Sequence, residues 1–175
     1  MMGAAVVDTC FLINWARFSG KEKLKLLFDR LFMPEITFSE VKSYTALSVA
    51  SKWLSERFLV LAPVLPANEE EIGSILAYVA SHPQLPSIDP PELYALVLAK
   101  RLNVPFLTDN KAPKRLVHIS DRHSSLLVLD SLDVLKMIAD VDGSLELGSL
   151  VADFMRETSF RFSRARLREV GLLGP

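Results

Sequence analysis

One cysteine, Cys10, is the chain's whole supply of thiol. That excludes an intrachain disulfide framework and a Cys-based zinc site, and it makes a reducing cytoplasmic setting the expectation. Cys10 itself, at a strand end among apolar residues, reads as buried and inert. Glycine is also scarce: seven residues are scattered with neither a P-loop nor a dinucleotide fingerprint, which argues against a nucleotide cofactor. No serine sits in a Gly-x-Ser-x-Gly elbow, so a hydrolase triad has no support. No apolar run approaches the roughly 18 residues that a membrane-spanning helix needs. The opening "MMGAAVVDTCFLIN" lacks a basic region and carries Asp8 inside its apolar stretch, so no secretory signal is expected. Charge of one sign is missing too, with 20 Lys and Arg against 21 Asp and Glu for a net of −1. Bulk affinity for a polyanion is therefore not advertised. Contact with nucleic acid would need local basic clusters, or a metal bridging carboxylates to phosphate. His82, His118 and His123 have no helical ligand spacing and read as surface or locally hydrogen-bonded residues.

What is present is core. Half of the 175 residues are hydrophobic, enough for one compact domain. "AAVVD" fits a short buried strand, and "FLINWARF" with "KEKLKLLFDRLF" fits two amphipathic helices broken at Ser19-Gly20. "FMPEIT" suits a short extended element, kept from helix by Pro34. "SEVKSYTALSVASKWLSERF" predicts one long helix with Val41, Tyr44, Leu47, Ala50 and Leu54 on its apolar face. "FLVLAPVL" is strand-like, and "NEEEIGSILAYVASH" is a helix with Asn68 as N-cap. "PPELYALVLAKRL" predicts a helix, "VPFLTD" a strand, "KAPKRLVHISDR" a helix and "SLLVLD" another strand. Strands alternating with helices predict a three-layer α/β/α sandwich on a mostly parallel, Rossmann-like sheet. The expected organisation is a single domain, with a core over 1–143 and a C-terminal helical extension over 144–175. The stripe "LVADFM" in that extension is expected to pack on the core or on a partner subunit.

Active sites in such sheets lie outside the carboxyl ends of the strands. Asp8 and Asp109 both end strands, so they are expected to face one edge. Asp8 reads equally as the N-cap of the following helix or as a metal ligand. Thr9 and Thr108 flank the two acids and could orient carboxylates or bind phosphate. Glu40, in "TFSEVKSY", sits where first-turn acids favour the helix dipole. In "DPPE", Asp89 as N-cap, Pro90 at N1 and Glu92 at N3 form a capping-box pattern that explains both acids without any function. Taken together, the acids suggest more. Like charges gathered in one pocket raise each other's pKa unless a cation neutralises them, and oxygen ligands suit a hard divalent ion. Lys111, Lys114 and Arg115 follow Asp109 directly and could grip phosphates beside such an ion. Arg156, Arg161, Arg164, Arg166 and Arg168 crowd the tail. Arg161, Arg164 and Arg168 would share a helical face, read as solvated or salt-bridged in preference to RNA-binding.

Three segments in order resemble the PIN domain, the fold of a large group of Mg²⁺- or Mn²⁺-dependent ribonucleases. "VVDTCFLINWARF" is similar to its opening strand, acid and hydroxyl residue. "MPEITFSEVKSY" is similar to its second motif, and "DPPELYALVLAKRLNVPFLTDN" to its third and fourth. The tail "LGSLVADFMRETSFRFSRARLREVGLL" resembles the C-terminal helices of a prokaryotic subgroup. The resemblance implies an endoribonuclease that hydrolyses RNA with a metal-activated water. Its catalytic and metal-holding quartet would be Asp8, Glu40, Glu92 and Asp109. Thr9, Thr108, Asn110 and Asp89 are implied as supporting residues, with Asp89 the rival of Glu92 as third acid. A protein antitoxin as partner and a homodimer are implied as well. The alternative is a catalytically silent RNA-binding or protein-interaction module on the same fold.

Overall fold

The computed structural model describes residues 3–120 and 124–174, with only the backbone of Ala67; His123 therefore lies outside the described residues. At its centre is β1 (Ala4–Val7), whose Ala5, Val6 and Val7 are wholly excluded from solvent. Period-2 alternation sends these side chains to opposite faces. Ala5 and Val7 join one hydrophobic core and Val6 joins another, so β1 is covered on both sides. Burial on both faces is why its sequence is continuously apolar instead of alternating.

Four more strands complete an all-parallel sheet: β2 (Arg30–Pro34), β3 (Leu59–Ala62), β4 (Phe106–Leu107) and β5 (Val128–Leu129). The spatial order is β3-β2-β1-β4-β5, with Val6 opposite Phe32 on one side and Phe106 on the other. The chain runs outward from β1 in one direction, then returns to place β4 on its other flank. This makes the β1/β4 boundary the topological switch point, where open α/β sheets form their crevice.

The helices build the outer layers. α1 (Thr9–Arg17), α3 (Tyr44–Ser55), α7 (Ser131–Val141) and α8 (Leu147–Thr158) supply the core on one face. α4 (Pro66–Ala80), α5 (Pro90–Leu102) and α6 (Lys111–Ile119) supply the other. The expected three-layer α/β/α sandwich is thus what the chain forms. A short α2 (Glu35–Phe38) follows β2, and α9 (Arg164–Glu169) closes the chain. Among the described residues no helix is long and apolar enough to cross a membrane.

Several local expectations are corrected. "KEKLKLLFDRLF" is not a second amphipathic helix: residues Ser19–Leu26 form a 3₁₀ segment, and Arg30–Pro34 becomes β2. Pairing with both β1 and β3 outweighs the helical spacing of its leucines. The long helix expected from Ser39 is interrupted. α2 ends near Glu40, and α3 starts afresh at Tyr44 with the Ser43 hydroxyl accepting the Ala46 N–H. Its buried face is Ala46, Ala50 and Trp53, while Tyr44 is 88% exposed. Trp53 decides that phase, because burying the larger indole against Phe58 removes more apolar area from water than burying Tyr44. Asn68 is not an N-cap: α4 begins two residues earlier, with Pro66 at its first position and Leu65 before it.

The tail does form two helices, yet α8 belongs to the main core. Leu150, Val151 and Phe154 are buried with α1 and α7, so the "LVADFM" stripe packs inward. Arg161 precedes α9 instead of sharing its face with Arg164 and Arg168, and its Nη1 donates to the Met155 and Phe160 carbonyls. Arg166 stays in α9 and sends its guanidinium to Asp130 and Asp133 of α7's capping box. His82 is locally satisfied as expected, stacked on Tyr78 and bonded to its carbonyl at 2.7 Å.

Candidate functional site

Asp8 leaves β1 at the switch point and turns the chain into α1. Its Oδ1 accepts the Phe11 N–H at 2.8 Å, so the N-cap reading is realised. Its Oδ2 remains available to the site, where it accepts the Thr108 hydroxyl and lies 3.1 Å from the Cys10 Sγ. Cap and site residue are therefore compatible, one oxygen serving each. Burial pushes the Asp8 carboxyl up to about 6, against the lowering effect of those hydrogen bonds. Cys10 is half-buried, and burial together with the Asp8 charge holds its thiol far above the ordinary range. It is inert as a nucleophile.

Glu92 reaches the same point from the first turn of α5. The expected capping box does not form, since the Asp89 side chain makes no cap hydrogen bond. The Glu92 N–H donates to the Asp89 backbone carbonyl at 3.0 Å instead of to its carboxylate, and Pro91 at the second position offers no N–H as an alternative. Glu92 is released to turn inward. Its Oε2 accepts Asn110 Nδ2 at 3.1 Å, and its Oε1 lies 3.5 Å from the Thr108 hydroxyl oxygen. That hydroxyl has one hydrogen, which it donates to Asp8. Glu92 can extend the chain only as a protonated acid. Burial first, then the charges of Asp8 and Asp89, push its carboxyl up to about 8.

The remaining acids divide. Glu40 is in the turn after α2, not on a helix, and its Oε2 is 3.4 Å from the Thr9 hydroxyl. Thr9 in turn donates to the Thr37 carbonyl at 2.9 Å, and Thr37 donates to the Pro91 carbonyl at 2.7 Å. These links tie α1, α2 and α5 around a cleft of about 110 Å³, whose walls include Asp8, Glu40, Asp89, Glu92, Thr9 and Asn110.

Asp109 faces elsewhere. Its oxygens accept the Ser131 N–H and hydroxyl, both at 2.8 Å, and Asn14 Nδ2 at 2.7 Å. Trp15 Nε1 donates to the same Ser131 hydroxyl at 2.9 Å. Asp109 is half-buried in this network, whose hydrogen bonds oppose but do not cancel the desolvation that raises its pKa. It joins α1 to the start of α7 and is not part of the cleft wall. Asn14, Thr37 and Ser131 were absent from the sequence reading. Each is a common polar residue without motif context, and only the tertiary fold brings it near the acids.

Two cations of the expected phosphate grip behave differently from one another. Lys111 is exposed, whereas Lys114 is bound to Asp130 at 2.7 Å and Asp133 at 2.6 Å. Lys114 is thus committed to an intrachain ion-pair cluster with Arg166 and is not held for a ligand. Arg115 is exposed.

The donor set bears on a divalent ion in two ways. Among the described residues, no group of three or more Asp, Glu, His or Cys side chains is arranged to hold a metal ion. The expected convergence of four acids is not present. Two buried carboxylates beside neutral oxygens, with two further acids on the rim, do fit an ion that keeps most of its waters, as Mg²⁺ does. The cleft is well above the roughly 10–15 Å³ that one water requires. No family model matches this sequence, and no curated protein matches it closely enough to be identified as a relative.

Proposed function

We propose that this chain is a Mg²⁺- or Mn²⁺-dependent endoribonuclease of the PIN type. The observation that carries this reading is the Asp8–Thr108–Glu92 arrangement at the switch point of the sheet. Two acids kept out of water, both raised by burial, open onto a cleft rimmed by Glu40 and Asp89. Such an arrangement is costly without a cation, and perturbed acids in a cleft mark functional sites. The ordered resemblance to PIN ribonucleases supplies RNA as the substrate class. It also suggests a protein antitoxin and a homodimer as biological setting.

In this reading Asp8 and Glu92 would hold the ion directly, with Glu40 and Asp89 acting through water. The ion, when bound, would supply Lewis-acid activation of water and neutralise charge on the phosphodiester. Thr108 orients Asp8 and Asn110 orients Glu92, while Thr9, its hydroxyl hydrogen given to the Thr37 carbonyl, ties α1 to α2 just before the turn that carries Glu40. Asp109 is a positioning residue, holding α1 and with it Asp8. Lys111 is the exposed cation nearest in sequence to receive a phosphate.

Cleavage of single-stranded and hairpin RNA with Mg²⁺, Mn²⁺ or EDTA tests the reading. Metal-dependent cleavage lost in both Asp8→Asn and Glu92→Gln supports it. RNA binding without cleavage under either metal overturns it in favour of the second reading, a silent RNA-binding or interaction module. That alternative is favoured by one observation, the engagement of Asp109 away from the cleft.

A further inference from the structure

A second cavity, of about 330 Å³, adjoins the acid cleft between the loop after β4 and the segment joining α8 to α9. Its walls include Asp109, Asn110, Lys111, Phe160, Arg161 and Phe162. Asn110 lines both spaces, and its side chain donates to Glu92. A polymer bound across the cleft would meet this cavity next.

The aromatic wall is built and braced. α8 ends at Ser159, which takes the left-handed conformation at φ 61° and turns the chain back. The Thr158 hydroxyl steadies the turn, donating to the Phe154 carbonyl at 2.7 Å and accepting the Phe160 N–H at 3.1 Å. Phe160 and Phe162 then meet edge to face, with centroids 5.1 Å apart. Both rest on the fully buried Phe154, at 6.4 and 5.8 Å, and both stay only half-buried themselves. Part of each ring is left open to the cavity. The exposed cations on its wall are Lys111 and Arg161, the latter anchored by carbonyls of the same turn. The two wall acids are already engaged. Asp109 accepts from Asn14 and Ser131, and Asp130 is paired with Lys114 and Arg166.

We propose that this cavity is a nucleobase subsite for single-stranded RNA. One base packs against Phe160 and Phe162, and its phosphate lies by Lys111 and Arg161, beside the phosphodiester presented to the acid cleft. The choice of RNA as ligand rests on the ribonuclease reading; the subsite rests on the aromatic wall, the cations and the shared Asn110. Aromatic platforms accept any base because every base has a π-face, and a duplex, whose bases are stacked inside, cannot use them.

The test is fluorescence anisotropy on the metal-free full chain in EDTA, which separates binding from cleavage. The probes are a short single-stranded RNA, an abasic ribose-phosphate oligomer of equal length, and an RNA duplex. The expected result is that the base-bearing strand binds roughly 5- to 100-fold more tightly than the abasic one. Phe162→Leu and Phe160→Leu, which keep an apolar contact to Phe154, should each reduce that preference while leaving abasic binding unchanged. Lys111→Ala should weaken both single strands alike and lower the salt dependence. Equal binding of base-bearing and abasic strands, or a preference untouched in both leucine variants, overturns the subsite. If metal-dependent cleavage persists in that case, only the subsite falls. If the preference holds while cleavage never occurs, the subsite stands and the nuclease reading falls. No binding of any RNA in EDTA removes the subsite and leaves the nuclease reading to the cleavage assay.

Discussion

At the scale of single residues, Asp8 and Asp109 show how one sequence pattern yields two environments. Both acids end an apolar strand; Asp8 is buried and Asp109 half-buried. Asp109 meets three donors from Asn14 and Ser131, which offset part of the desolvation that raises its carboxyl and tie it into the fold. Asp8 has one cap donor, a hydroxyl and a thiol, and its carboxyl still rises to about 6. Two outcomes separate them. Asp109→Ala removes the acceptor of buried donors and should destabilise the fold by about 2–3 kcal/mol, read from denaturant midpoints. Asp8→Asn keeps an N-capping side chain but removes a charge that burial disfavours. Without divalent metal, Asp8→Asn should be the more stable protein at pH 8 by on the order of 2 kcal/mol. That advantage should vanish near pH 4, where Asp8 is neutral in the native state. A variant less stable than the parent at pH 8 would show that the carboxylate is already stabilised by the protein alone.

At the scale of elements, sequence pattern located what is locally encoded and missed what distant partners decide. β1, β4 and β5 were legible because each is an apolar run closed by an acid. The end of β2 was legible in "FMPEIT", although Glu35–Phe38 turn helical; its start was hidden in "LLFDRLF", where leucine spacing suits a helix and strands on either side decide otherwise. The turn holding Glu40 was likewise masked by a continuous helical pattern through "SEVKSYTALS". Of the candidate site, Asp8, Glu40, Asp89 and Glu92 were found and do share a cleft. The pattern had no means to show that Asp109 would find other partners, because Asn14 and Ser131 are remote in sequence. α3 offers the sharpest check of phase. Trp53→Ala should cost about 3–5 kcal/mol in stability, as for other buried large-to-small changes. Tyr44→Ala, on the opposite, exposed side, should change it by less than about 0.5 kcal/mol. Equal losses would place Tyr44 in a covered interface and restore the phase first expected.

At the scale of the whole molecule, the two acids of the cleft link folding to pH and to metal. The native carboxyls of Asp8 and Glu92, at about 6 and about 8, lie above the roughly 4 of unfolded Asp and Glu. Between about pH 4 and 8 the native chain therefore holds more protons than the unfolded chain. Stability from this source is fully present below the unfolded values and is lost as pH rises, first through about 6 and then through about 8. The slope is roughly 1 kcal/mol per pH unit for each group while it titrates. Glu22 works in the opposite direction on the acid side. Lys25 and Lys52 hold it down to about 2, so its smaller, solvent-screened contribution fades as pH falls from about 4 to 2. The metal-free protein should consequently have its highest melting temperature near pH 4–5 and a lower one at pH 8. A divalent ion in the cleft would favour the ionised pair and so oppose the alkaline loss, because a ligand of the native state stabilises by mass action. Thermal melts across pH 4–9, with EDTA or with millimolar Mn²⁺, should show a metal-induced rise that is larger at pH 8 than at pH 5. Asp8→Asn/Glu92→Gln should flatten the metal-free profile and erase most of that rise. A parent profile that climbs from pH 5 to 8 without metal would mean that these carboxyls ionise in water-filled surroundings. A rise equal at both pH values would place the ion away from them.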